Sequence, residues 1–181
     1  MLKQITCLCA GAFPANLSTA GPVTFRGLLL LAMLLTGNAL QAAESTVYKQ
    51  TADQTMEQVY PAVYKALEEA KFFVVFEPKI SKMLSRFSEK WGEDYNQNKL
   101  SSIRSMVFCN GWYANAVSNV DPDMLALCPL RIGLYEKQGK TTVVFARPTA
   151  IGAQSAAKSV LKALEEEVIN AINAGMKAGE G

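Results

Sequence analysis

Two β-rich runs, Leu130–Glu136 and Thr141–Arg147, flank the polar tetrapeptide Lys137-Gln138-Gly139-Lys140, and this pairing constrains the fold more than any other stretch of the chain. Strand-forming residues that turn back on themselves through a glycine-containing turn form a hairpin. A lone hairpin is marginal in water, so other elements must cover it. Ile103–Phe108, with Met106-Val107-Phe108 at its end, is a further strand-like run, closed by Cys109-Asn110-Gly111. Strands that run consecutively in this way through the second half of the chain argue for a mostly antiparallel sheet.

The remaining elements supply the cover. Ser45–Gln50 alternates like a short strand, and Thr51 with Gln54, or Asp53 alone, offers a cap for a helix. Met56, Val59, Tyr60, Val63, Leu67 and Ala70 recur at helical spacing, and Pro61 within the pattern predicts a kink or local break. Phe72–Phe76 is a continuous apolar run, which predicts a strand covered on both faces. Ile80, Met83, Leu84, Phe87 and Trp91 fall on one helical face among lysines and Arg86, and the expected arrangement is a core-facing stripe with a solvated basic side. Residues 92–102 are polar and predict an exposed loop. Trp112–Asn119 predicts a short helix stopped at Asp121-Pro122. Ala157, Val160, Leu161, Leu164, Val168 and Ile172 predict a long terminal helix that stops near Gly175. The fold class is therefore α+β: a mostly antiparallel sheet of about five strands with helices packed on one face, in a single domain over 43–181.

Residues 1–42 stand apart from that domain. Lys3 and Arg26 are their only charges, and the apolar run Leu28–Leu35 is far shorter than the roughly 20 residues of a membrane-spanning helix. Small residues follow it, so the segment is expected to be a secretory signal peptide cut after Ala42, with a soluble periplasmic or secreted product and no span after cleavage. Cleavage removes two of 18 basic residues and none of 16 acidic ones, which leaves a neutral chain. Such a chain lacks the basic field that nucleic-acid binding needs.

The chain contains no histidine. That excludes Ser-His-Asp and Cys-His catalysis and every His-ligated metal or haem site built from this chain alone. Its glycines are isolated, so no phosphate-cradling loop is present, and no cofactor or metal is expected. Cys7 and Cys9 leave with the signal, and Cys109 and Cys128 are left. Their spacing allows three readings. One is a disulfide in an oxidising compartment, closing a loop of about 20 residues and contributing about 3 kcal/mol. The second is a pair of unpaired apolar side chains, and the third a redox-active or metal-binding pair.

The phrase Phe108-Cys109-Asn110, the Asp121-Pro122 turn, Leu127-Cys128-Pro129-Leu130-Arg131-Ile132 and Tyr135-Glu136 with Gly139 together resemble the bacterial domain of unknown function 302 family. The resemblance runs over about Val47 to Pro148 and implies a small α+β domain, often dimeric, with no established reaction. Gly111 stands where the family has proline, and the family's second cysteine would fall at Leu130 rather than Cys128. The resemblance thus implies a cysteine site at Cys109.

A non-enzymatic binding or interaction domain is the leading expectation, with Cys109, Asn110, Trp112, Tyr113, Cys128 and Arg131 as the candidate ligand-binding or redox residues. Aromatics and amides clustered on one loop beside a rigid sheet are what a ligand site requires. Its partner would be a small molecule or a periplasmic protein. The alternative is a thiol-dependent redox or sulfur-handling protein using Cys109 and Cys128, and a third reading is a homodimer formed through the sheet edge or the segment Ile80–Trp91.

Overall fold

The computed structural model describes residues 45–179, so the expected signal segment and its cleavage point lie outside the described residues. Strands β1 (Val47–Ala52), β2 (Phe73–Phe76), β3 (Ser102–Cys109), β4 (Leu130–Lys137) and β5 (Lys140–Ala146) form one sheet in the order β1-β5-β4-β3-β2, and every neighbouring pair is antiparallel. The expected hairpin is β4–β5. Lys137 pairs with Lys140, leaving a two-residue turn in which Gln138 and Gly139 both have positive φ, at 54° and 74°. That is the turn geometry whose twist matches paired strands.

Alternation sorts the sheet residues between two faces. Met106, Phe108, Ile132, Leu134, Val143 and Phe145 are all buried on one face. Helices α1 (Met56–Glu69) and α6 (Lys158–Ala178) cover it with Met56, Val59, Val63 and Leu67 from one and Leu164, Val168, Ile172 and Met176 from the other. Each such side chain contributes about 1.5–3 kcal/mol of burial, so this single layer is what holds the sheet. α1 and α6 cross at Gly175. A Cβ there would stand 2.5 Å from Val63 Cα, closer than real atoms approach.

Several expectations are corrected. β1 runs on through Thr51 and Ala52, and the cap of α1 is Thr55, whose backbone N–H donates to the Gln58 side chain at 3.1 Å. The helix continues through exposed Pro61, because a proline on the outer face removes one backbone bond without driving its ring into the core. β2 is not covered on both faces; it is the sheet's edge, and Phe73, Val75 and Phe76 are exposed while only Phe72, just before it, is fully buried.

The segment Ile80–Trp91 is not one helix with a core-facing stripe. It divides into α2 (Ile80–Leu84), a 3₁₀ turn (Ser85–Phe87) and α3 (Ser88–Trp91), and no residue in it is buried. Ser85 and Ser88 hydroxyls donate to carbonyls three residues back, which tightens the backbone and breaks the stripe's register. Finally, α6 does not stop near Gly175. The glycine serves the crossing with α1, and the helix continues to Ala178.

Glu136 explains part of the Tyr-Glu phrase. Its carboxylate accepts the backbone N–H of Met56 at 2.6 Å and the Ser101 hydroxyl at 2.9 Å, placing a negative charge at the N-terminus of α1.

Candidate functional site

Four of the six candidate residues meet at one end of the sheet. Cys109 ends β3, and Asn110 caps α4 (Gly111–Val120) by accepting the Tyr113 N–H on its side-chain oxygen at 3.1 Å. The cap sets the sharp change from strand to helix, which brings Tyr113 back over the strand end. Cys128 arrives from the other direction, after the 3₁₀ turn Pro122–Leu127. Asp121 starts that turn by accepting the Asp123 N–H at 3.2 Å, and its second carboxylate oxygen accepts the Ser155 hydroxyl, which ties the turn to the linker between α5 (Pro148–Ile151) and α6.

The pairing of β3 with β4 then delivers the thiols to one place. Phe108 lies opposite Leu130, so the residues just beyond that pair are neighbours across the strand ends. The Cys109 and Cys128 sulfurs are 3.5 Å apart, both as free thiols, and the Cys128–Pro129 peptide bond is cis. Partial burial pushes the Cys128 thiol above its ordinary pKa, and its hydrogen bond with Cys109 pushes it further. No guanidinium opposes this shift. Arg131 alternates with inward-facing Leu130 and Ile132, is exposed, and projects to the opposite face of the sheet.

Behind the thiols lies a small apolar pocket between α4, the turn Pro122–Leu127 and α6. Its walls include Tyr113, Ala114, Val117, Met124, Leu127, Pro148, Leu161 and Leu164, with Cys109, Asn110 and Cys128 at the rim. The room inside for the centre of a water-sized sphere is about 30 Å³. Tyr113 is held from outside the pocket as well: its ring stacks on Phe72 at 6.0 Å, and burial followed by a hydrogen bond to Glu167 pushes its phenol up to about 12. Trp112 sits edge-on to Tyr113 but is 67% exposed and lines no part of the pocket.

The site therefore unites Cys109, Asn110, Tyr113 and Cys128, and leaves out Trp112 and Arg131. Tyr113 was among the residues expected at the site, and the stripe through Leu161 and Leu164 was visible in the sequence, where it read as one face of the terminal helix. Met124 carried no such signal, since it lies in a short 3₁₀ turn without amphipathic periodicity. Among the described residues no group of three or more His, Cys, Asp or Glu could hold a metal, and no helix is long and apolar enough to cross a membrane.

The comparisons with known proteins bear on the fold and the family. No curated protein matches the chain. A solved structure of an uncharacterized conserved protein DUF302 from Bacillus stearothermophilus is similar, with a TM-score of 0.61 and 17% sequence identity over 71% of this chain and 97% of that one. At that identity the likeness shows the fold alone. The model of the family described as domain of unknown function DUF302 matches residues 48–178. With most of its length matched, the chain belongs to the DUF302 family.

Proposed function

We propose that the protein is an exported binding domain that takes a guest of very few atoms into the apolar pocket behind Cys109, Asn110 and Cys128. The observation that carries this reading is the pocket's size and lining. About 30 Å³ of room for the centre of a water-sized sphere admits a guest of a few atoms and is well below that of a pocket that engulfs a large organic ligand. An apolar wall with sulfur and amide at the rim favours a small, weakly hydrated guest. Export rests on the run Leu28–Leu35 and the small residues up to Ala43.

Xenon tests the pocket directly, because apolar cavities of this kind bind it. Under xenon pressure, amide shifts are expected to cluster at Ala114, Val117, Leu127 and Leu161, and Ala114→Leu, which fills the space, is expected to abolish them. Shifts scattered over the surface, or unchanged in the filled variant, would count against the pocket.

A second reading is favoured by the 3.5 Å approach of the sulfurs: reversible dithiol–disulfide exchange with a partner protein's disulfide. The Cys128 thiolate would attack one partner sulfur and release the other as thiolate. Cys109 would then attack the Cys128 sulfur, closing Cys109–Cys128 and releasing the second partner thiolate, so that two electrons pass to the partner. The raised Cys128 pKa makes this exchange slow at neutral pH, since only the thiolate reacts. A Cys109→Ser variant that folds and stays fully active in the cell would dismiss this reading.

A further inference from the structure

The face of the sheet turned away from α1 and α6 has a relief that follows from its register. Lys49, Val144, Gly133 and Ser105 stand opposite one another in a single row across β1, β5, β4 and β3. Gly133 has no side chain, and the Ser105 hydroxyl is turned into the sheet, donating to the Ile132 carbonyl at 2.6 Å, so the row is low along its middle. The rows on either side are taller: Arg131 pairs with Val107 on one, and Tyr135 with Ile103 on the other. The result is a trough lined by Val144, Gly133, Arg131, Tyr135 and Ile103, with Ile80 of α2 closing its β3 end. Ser81 fixes that wall by accepting the Ile103 N–H on its hydroxyl at 2.5 Å.

The room for the centre of a water-sized sphere is about 390 Å³ in the trough, against about 30 Å³ behind the thiols. Pockets that take small organic molecules hold about 300–1,000 Å³, and the trough falls within that range. With strands about 4.8 Å apart, four of them make it about 14 Å long, a span that suits an extended chain of about ten carbons.

Charge decides which molecule fits. Alternation points Lys49, Arg131, Lys137 and Lys140 to this face, and no acidic residue shares it among the described strand positions. Lys140 is paired with Asp53 at 2.5 Å, whereas Arg131 is exposed and makes no ion pair among the described residues. A second copy of the chain suits the face poorly, because a two-fold interface would set these cations against themselves. A flat bilayer suits it poorly as well, since the low row lies beneath its banks and the α2 wall. An apolar chain ending in an anion matches both features: its body covers Ile103, Tyr135 and Val144, and its carboxylate accepts paired N–H bonds from the Arg131 guanidinium.

We propose that this trough binds a medium-chain fatty acid, with the carboxylate held by Arg131. The site lies on the other face of the sheet from the pocket behind the thiols, and neither depends on the other.

The test is titration of the purified protein with decanoate below its micelle concentration, followed by amide shifts. Saturating shifts are expected at Ile103, Gly133 and Val144 with one decanoate per chain, and decanoate is expected to bind about fourfold or more tighter than octanoate as two further methylenes leave water. Arg131→Gln, at an exposed position, is expected to weaken binding about tenfold, and Gly133→Val, which raises the floor, to abolish it. Decyltrimethylammonium, the same chain with the opposite charge, is expected to leave these amides unmoved. Equal binding of the two amphiphiles, or decanoate shifts unaltered in Arg131→Gln, would overturn the proposal. So would either other occupant of the face: a second copy, read as shifts of these amides with protein concentration alone and a dimer in sedimentation, or a bilayer, read as their loss only on phosphatidylglycerol vesicles.

Discussion

Glu165 is a charged side chain buried in the structure, on α6, with only 4% of its surface exposed. It is tolerated there because every approach to its carboxylate is a donor: the Arg147 guanidinium at 2.6 Å, the Thr149 N–H at 2.9 Å and the Thr149 hydroxyl at 2.6 Å. These bonds fasten the end of β5 and the start of α5 to the terminal helix. Glu165→Ala would remove the acceptor shared by the Arg147 guanidinium, the Thr149 N–H and the Thr149 hydroxyl, and the expected loss of stability is about 3 kcal/mol in urea unfolding. A loss below about 1 kcal/mol would mean that the bonds are not made in solution.

Tyr113 and Tyr60 give a second prediction at this scale. Burial, then hydrogen bonds to Glu167 and Glu77 respectively, raise both phenols, Tyr113 to about 12. The folded protein thus keeps these protons to higher pH than the unfolded chain does. Stability is at its full value below about pH 10, where phenols in both states are protonated, and falls above it as the unfolded chain ionises first. Urea midpoints measured between pH 9 and pH 12 should fall from about pH 10, and Tyr113→Phe should make the decline shallower. A flat profile in the parent protein would contradict the burial.

At the scale of elements, the crossing of α1 and α6 is set by one residue. A Cβ at Gly175 would meet Val63 Cα at 2.5 Å, Val63 N at 2.8 Å and Ala62 O at 2.9 Å, all backbone atoms that cannot rotate away. Gly175→Ala should therefore separate the helices and cost about 2 kcal/mol or more, read as a lower thermal midpoint. Gly111, with nothing within 4 Å of its would-be Cβ, is the control, and Gly111→Ala should change stability by about 0.5 kcal/mol at most. Equal effects at the two glycines would contradict the crossing.

Elements with their own periodicity were legible before the structure. The stripe from Met56 to Leu67 and the hairpin around Gln138-Gly139 each state their partner face in local sequence. What local sequence does not state is position in the sheet. Phe73–Phe76 looks like an interior strand but lies at the edge, because strand order is a property of long-range pairing. Ile80–Trp91 has helical spacing without a surface to cover, and serine side chains competing for backbone carbonyls break it into short turns. The same limit applied to the site: Asn110, Tyr113 and the two cysteines were visible as candidates, whereas the capping role of Asn110 and the pocket wall depend on how β3, α4 and α6 meet.

At the scale of the whole molecule, an antiparallel sheet covered on one face by α1 and α6 brings the ends of β3 and β4 together, and with them two thiols separated by 19 positions in sequence. Both readings of the site depend on that convergence. It requires the turn Pro122–Leu127 to be held down by Asp121 and Ser155, and the β3–β4 register to place Phe108 opposite Leu130. The measurement that tests it most directly is peptide mass mapping of the purified protein after mild oxidation at low concentration. A single cross-link between Cys109 and Cys128 within one chain, formed in full with loss of two hydrogens, is predicted. Two cysteines that stay open to alkylation, or cross-links formed only between separate chains, would contradict it.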